Sequence, residues 1–121
     1  MIYADDTALS QTLKDVFESS GYRSNAAASL EDGLKLSRVY PADIIFLDMK
    51  LPPFNGLEAY LTIRSFNSKA SVILMAGPEK ETEPLVRAAL EKGAHACLHK
   101  PFDPKEAAGL IEEIMRQKEA R

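Results

Sequence analysis

The segment DIIFLD, residues 43–48, is the most distinctive stretch of this 121-residue sequence. Four large apolar residues stand in a row between two acids, which is typical of a strand that is buried on both faces of a parallel sheet. Parallel strands need long crossover connections, which are usually helices. We therefore predict that residues 43–48 form a central strand of an α/β domain, with Asp48 at its carboxyl end.

Outward from this strand, apolar runs and segments of helical periodicity alternate five times, as in repeated βαβ units. The predicted strands are residues 2–4, 22–27, 43–48, 71–75 and 95–98. The predicted helices are residues 7–20, a second helix capped by Ser29, residues 57–66, residues 83–92 and a last helix that begins near Asp103-Pro104. Residues 49–56 (MKLPPFNG) are predicted to be a loop, because they contain two prolines, Asn55 and Gly56. This pattern leaves two strand orders open.

The composition fits one domain over residues 1–121. The hydrophobic fraction of 45% and the charged fraction of 27% are those of a globular chain. Basic and acidic residues are interspersed and the net charge is -3, which argues against direct contact with nucleic acid. No apolar stretch approaches the ~20 residues that span a bilayer, and the acidic start MIYADDT is unlike a signal peptide. We expect a cytoplasmic domain without membrane contact.

Charged residues follow three of the predicted strands at their carboxyl ends. Asp5 and Asp6 follow the first strand, Asp48 ends the third, and Lys100 follows the fifth. Ligands of open α/β sheets bind at this edge, so we expect the four side chains to converge. Three carboxylates favour a hard cation such as Mg²⁺. With the ion bound, Asp48 can act as a nucleophile toward phosphorus while Lys100 neutralises phosphoryl charge.

Four stretches together resemble the receiver domain of a two-component response regulator: ADD (4–6), PADIIFLDMKLPPFNGLE (41–58), SVILMAG (71–77) and GAHACLHKPF (93–102). The resemblance spans nearly the whole chain. It implies a doubly wound, flavodoxin-like (βα)5 fold, with helices on both faces of a five-stranded parallel sheet in the order 2-1-3-4-5. It also implies a signalling domain rather than an enzyme, which accepts a phosphoryl group on Asp48 from a histidine kinase or a phosphotransfer protein.

The resemblance implies a role for each site residue. The Mg²⁺ ligands would be Asp5, Asp6, Asp48 and the backbone carbonyl of Lys50. Lys100 would bind the phosphoryl oxygens, and a cis peptide would join it to Pro101.

Two positions depart from the usual receiver pattern. Receivers usually have Thr or Ser at the end of the fourth strand, where this sequence has Ala76, and an aromatic residue on the fifth strand, where it has Cys97. A hydrogen bond to a charged acceptor is worth roughly 1.5–3 kcal/mol, so the missing hydroxyl would weaken the coupling between phosphorylation and loop movement. We expect the phosphoacceptor chemistry to survive and the switch to be atypical.

The resemblance also implies an output domain or an effector protein as a partner, and DMKLPPFNGLE resembles regulators of transcription. The polar end RQKEAR (116–121) fits either a linker to an effector domain or a terminus. Dimerisation through the fourth and fifth helices stays open.

Other interpretations of the same residues remain. Asp5-Asp6 could serve only as a helix cap, Asp48 could cap a turn, and Lys100 could be a solvated lysine. The altered switch positions favour a second hypothesis, a pseudo-receiver that binds partners without phosphorylation. A phosphatase or flavin protein of similar fold has less support, because Lys50 stands where a second acid after Asp48 is expected.

Overall fold

A parallel sheet forms the centre of the molecule in the computed structural model, which describes residues 1–119. The strands are β1 (Ile2–Tyr3), β2 (Ala26–Ala27), β3 (Ile44–Asp48), β4 (Lys50–Leu51), β5 (Phe54–Asn55), β6 (Ser71–Ala76) and β7 (Ala96–His99). The helices are α1 (Thr7–Ser19), α2 (Leu30–Val39), α3 (Gly56–Phe66), α4 (Thr82–Glu91) and α5 (Pro104–Glu119). The main sheet has the order β2-β1-β3-β6-β7. With β4 and β5 set aside as a separate hairpin, this is the predicted order 2-1-3-4-5.

Each face of the sheet has its own apolar core. Along β3, Ile44 and Phe46 pack toward α1 and α5, whereas Ile45 and Leu47 pack toward α2, α3 and α4. Successive side chains of a strand point to opposite faces, so an uninterrupted apolar run serves both layers. The rings of Phe17 and Phe46 lie 5.0 Å apart between their centroids and join α1 to the sheet. The buried run of residues 44–47 thus explains the doubly wound architecture.

The segment after β3 differs from its prediction as a loop. Lys50 pairs with Asn55 and Leu51 pairs with Phe54 in a short antiparallel hairpin. Pro52 and Pro53 lie between the paired residues, where a missing backbone N–H costs no ladder hydrogen bond. The two prolines therefore mark the turn of a hairpin rather than an unpaired loop.

The second strand is also shorter than predicted, because only Ala26 and Ala27 of residues 22–27 are paired. Its neighbour β1 has two residues and can therefore pair with only two residues of the second strand. Two backbone hydrogen bonds flank the paired residues, from the N–H of Ile2 to the carbonyl of Asn25 at 2.8 Å and from the N–H of Ala4 to the carbonyl of Ala27 at 3.1 Å. The remaining predicted bounds agree to within a single residue.

Helix ends follow ordinary capping chemistry. Ser29 accepts a hydrogen bond from the N–H of Asp32 at the start of α2, as the sequence predicted. Gly21 and Gly93 have positive φ angles just beyond α1 and α4, a conformation that favours glycine. Among residues 1–119, no helix combines the length and apolarity needed to cross a bilayer. Of the predicted domain 1–121, Ala120 and Arg121 lie outside the described residues.

Candidate functional site

The carboxyl ends of the central strands meet at one edge of the sheet. Parallel pairing aligns Tyr3 with Leu47, Asp48 with Met75, and Ala76 with His99. The residues that end or follow these strands therefore share one edge, where ligands of open α/β sheets bind. Asp48 occupies the middle of this edge.

The Asp48 carboxylate is buried, and both of its oxygens accept hydrogen bonds. Its side chain is 3% exposed. The Lys100 ammonium donates to Oδ2 at 2.7 Å, and the backbone N–H of Lys50 donates to Oδ1 at 2.9 Å. Hydrogen bonds between ionised groups are short and strong, and a buried carboxylate without such partners would be costly. The structure thus brings together Asp48 and Lys100, which are 52 residues apart in the chain.

The backbone positions Lys100 toward Asp48. Its N–H donates to the carbonyl of Ala76 at 2.8 Å, and its peptide bond to Pro101 is cis. The Lys100 side chain is 31% exposed, so it reaches from the surface to a buried oxygen. An ammonium in this position can neutralise added negative charge at Asp48.

The segment that follows Asp48 packs against the start of α3. Asn55 accepts a hydrogen bond from the N–H of Glu58 at 2.9 Å, while Glu58 accepts one from the N–H of Asn55 at 3.4 Å. This is a capping box, and the spacing of Asn55 and Glu58 in the sequence was a signal for it. A side chain at Gly56 would lie 2.7 Å from the backbone of Met49. Gly56 therefore lets the start of α3 approach the residue that follows Asp48.

The acidic pair after β1 lies at the start of α1. Asp5 and Asp6 are exposed, and Asp6 Oδ1 accepts a hydrogen bond from the N–H of Leu9 at 3.1 Å as the cap of α1. Within residues 1–119, no three His, Cys, Asp or Glu side chains are grouped so that they could hold a metal. The three carboxylates of the predicted Mg²⁺ site therefore do not form a preassembled group, because one caps a helix and another is paired with Lys100. Their role as metal ligands stays a prediction.

The sequence analysis did not predict an ion pair between Lys50 and Glu79, which lies beside the site. Lys50 Nζ lies 3.3 Å from Glu79 Oε1, and the two side chains are 72% and 38% exposed. A hydrogen bond from its own backbone N–H and the neighbouring Lys50 hold the pKa of Glu79 below its usual range. The available signal was opposite charge at two positions that closely follow adjacent strands, Lys50 after β3 and Glu79 after β6.

The two atypical positions lie on neighbouring strands. Ala76 is buried at the end of β6 and has no hydroxyl group to offer. Cys97 is half-buried on β7, and burial raises the pKa of its thiol. A less ionised thiol is a weaker nucleophile, so Cys97 behaves as a small apolar residue.

The fold and the strand-end site define a class of signalling domain. A family model described as the response regulator receiver domain matches residues 1–112. The chain therefore belongs to the response regulator receiver domain family, which serves signalling and not classical enzymatic catalysis.

Curated relatives are named as cell cycle regulators. The cell cycle response regulator CtrA of Brucella ovis is 30% identical over 117 residues, which cover 97% of this chain and 50% of that protein. The cell cycle transcriptional regulator CtrA of Caulobacter vibrioides is 26% identical over a match of the same extent. The chain spans about half the length of the curated relatives it matches.

Solved structures with this fold are also similar. A CheY-like receiver domain protein from Methanospirillum hungatei is 27% identical with a TM-score of 0.85, and the match covers 98% of this chain and 94% of that one. The receiver domain of NtrX from Brucella abortus is 18% identical with a TM-score of 0.82, and 93% of each chain is covered. The second likeness is one of fold alone.

Proposed function

We propose that this chain is a phosphoacceptor switch, in which Asp48 receives a phosphoryl group from a histidine kinase or a phosphotransfer protein. The observation that carries the proposal is the Lys100 ammonium, 2.7 Å from an oxygen of the buried Asp48 carboxylate. A helix cap or a turn has no need of a buried carboxylate with a lysine on one oxygen and a backbone N–H on the other.

In the proposed reaction, an Asp48 oxygen attacks the phosphorus of the donor's phosphohistidine. A P–O bond forms and the P–N bond breaks, and the histidine ring, protonated on its other nitrogen, leaves as neutral imidazole with the electron pair of the broken bond. Lys100 then moves its hydrogen bond from the carboxylate to the phosphoryl oxygens, so positive charge stays where negative charge accumulates. Any self-catalysed transfer from a small donor, and the later loss of the phosphoryl group, would use the same residues.

The donors around the site suit Mg²⁺, because carboxylate and carbonyl oxygens are its preferred protein ligands. Those expected to hold it are Asp5, Asp6, Asp48 and the backbone carbonyl of Lys50. When bound, the ion supplies positive charge that offsets the charge of the transferring group. The helix cap uses one oxygen of Asp6, so the same carboxylate keeps a second oxygen for a ligand.

We further propose that the phosphorylated domain acts on an output domain or an effector protein in the cytoplasm, and that transcription is the process controlled. CtrA of Caulobacter vibrioides is named a transcriptional regulator, and this chain matches half of its length. Direct contact of this domain with nucleic acid is not part of the proposal, given the net charge of -3. Homodimerisation is compatible with it.

A second candidate is a pseudo-receiver that binds partners without phosphorylation. The specific observation in its favour is the absence of a hydroxyl at Ala76 together with a small residue at Cys97. Under this alternative, Lys100 serves to neutralise Asp48 permanently.

Incubation with acetyl phosphate and Mg²⁺, followed by mass spectrometry of the intact protein, separates the two. The phosphoacceptor predicts a gain of ~80 Da, the mass of one phosphoryl group. Asp48→Asn should abolish the gain, and the control Asp43→Asn, an exposed acid just before β3, should retain it. No gain in the parent protein would favour the pseudo-receiver.

A further inference from the structure

Glu79 and Lys50 connect the two segments that border the Asp48 site. Lys50 lies two residues after Asp48, and Glu79 lies in the segment between β6 and α4. The Lys50 ammonium and the Glu79 carboxylate are 3.3 Å apart. The backbone N–H of the same lysine donates to Asp48 Oδ1. A single residue therefore contacts both the phosphoacceptor and the segment before α4.

The Glu79 carboxylate lies over the backbone at the end of β6. A methyl group added at Gly77 would collide with Glu79 Oε2. Gly77 directly follows Ala76, the position at which receivers usually have the hydroxyl of the switch. The charged group of Glu79 thus lies against the backbone of the residue that follows the switch position.

A phosphoryl group on Asp48 changes the charge balance of this pair. It brings about -1.5 to -2 charges at pH 7 and three strong acceptor oxygens. These oxygens attract the Lys50 ammonium and repel the Glu79 carboxylate. An exposed ion pair is worth little, so a dianion within reach of the lysine can displace it.

We propose that Glu79 transmits the phosphorylation of Asp48 to the segment before α4, because Lys50 transfers its contact from Glu79 to the phosphoryl group. This proposal rests on the proposed function, and it adds the contacts through which phosphorylation of Asp48 changes the segment before α4. Release of Glu79 frees residues 77–82 and so alters the start of α4. A displaced ion pair takes the place of the hydrogen bond that Ala76 cannot make.

Amide hydrogen exchange of residues 77–82 tests this route. It is measured with and without acetyl phosphate and Mg²⁺, and the mass of the intact protein is measured in the same samples. In the parent protein, exchange should rise about two- to fivefold on phosphorylation, the range expected for loss of an exposed ion pair. Glu79→Gln should show the raised exchange before phosphorylation and little further change, while it still gains ~80 Da. Glu81→Gln is the matched control, since Glu81 is exposed and makes no cap hydrogen bond, and it should behave like the parent.

Gly77→Ala gives a second, independent variant. The three atoms nearest to its added methyl group all belong to the flexible Glu79 side chain, so the substitution should displace the Glu79 carboxylate without unfolding the domain. Exchange at residues 78–82 should then be raised before phosphorylation, as in Glu79→Gln.

Failure of the inference and failure of the proposed function give different results. If all variants gain mass and residues 77–82 respond equally in the parent and in Glu79→Gln, the role of Glu79 is overturned and the phosphoacceptor stands. A mass gain without any exchange response in the parent has the same meaning. No mass gain in the parent overturns both proposals.

Discussion

Lys100 Nζ donates a 2.7 Å hydrogen bond to Asp48 Oδ2 and so joins the segment after β7 to the end of β3. The carboxylate is almost fully buried, whereas the lysine is about one-third exposed. The pair couples the stability of the domain to the state of its proposed phosphoacceptor, because any change at Asp48 alters the partner of Lys100.

This coupling should appear in a double-mutant cycle. Lys100→Met leaves the buried carboxylate without its cation and should lower the free energy of unfolding by about 1.5–3 kcal/mol. In the Asp48→Asn background the same substitution should cost much less, with a coupling energy of about 1–3 kcal/mol. Urea unfolding of the parent, the two single variants and the double variant measures this coupling energy. Additive effects would show that the contact contributes nothing to stability.

Asp6 should separate helix capping from metal binding. Asn is as good a helix cap as Asp, so Asp6→Asn should leave the unfolding free energy nearly unchanged, whereas Asp6→Ala should lower it by about 1 kcal/mol. Both substitutions should weaken Mg²⁺ binding, measured by titration calorimetry, because both remove the charged ligand. Unchanged Mg²⁺ affinity in Asp6→Asn would remove Asp6 from the proposed ligands.

Two helical glycines should respond to alanine in opposite directions. A Cβ atom at Gly33 would collide with the ring of Tyr3, which is fully buried, so Gly33→Ala should destabilise the domain by about 1–3 kcal/mol. Gly109 in α5 has open space around it, so Gly109→Ala should stabilise the domain by about 0.5–1 kcal/mol. Thermal unfolding compares the two variants. Stabilisation in both would mean that the Tyr3 ring has room to move.

Tyr3 should also make stability depend on alkaline pH. Burial raises the pKa of the Tyr3 hydroxyl above its ordinary value of 10.0. Above pH 10 the unfolded chain loses this proton first, so the stability that Tyr3 contributes below pH 10 decreases as the pH rises, by up to about 1.4 kcal/mol per pH unit. Tyr3→Phe should show a shallower decline between pH 9.5 and 11 than the parent. Equal slopes in urea unfolding would contradict this assignment.

Restoring the usual switch residues should add a second route of response. Ala76→Thr places a hydroxyl at the end of β6, and combined with Cys97→Tyr it should enlarge the phosphorylation-dependent change at residues 77–82 beyond that of the parent. Because Ala76 is buried, some loss of stability from the larger side chain is expected. Hydrogen exchange in the presence of acetyl phosphate and Mg²⁺ compares the two proteins. An identical response would show that the altered positions do not limit the switch.

The local features of this protein could be predicted because they depend on neighbouring residues. The apolar run of residues 44–47 predicted a buried strand, and its bounding acid predicted where that strand ends. The cap at Ser29 followed from residue type, since a short polar side chain satisfies free N–H groups at a helix start. The strand order came from the resemblance to receivers, because periodicity alone left two orders open.

Tertiary packing decided the contacts of the site. The alignment of β3 with β6 and of β6 with β7 brings Lys100 to Asp48. Asp6 suited both a helix cap and a metal ligand from its sequence position, and in the fold its Oδ1 caps α1. The pairing of Lys50 with Glu79 depends on how the hairpin after β3 packs against the segment after β6. Local periodicity predicts elements, but contacts between distant residues depend on strand register and on how the loops pack, which no single segment specifies.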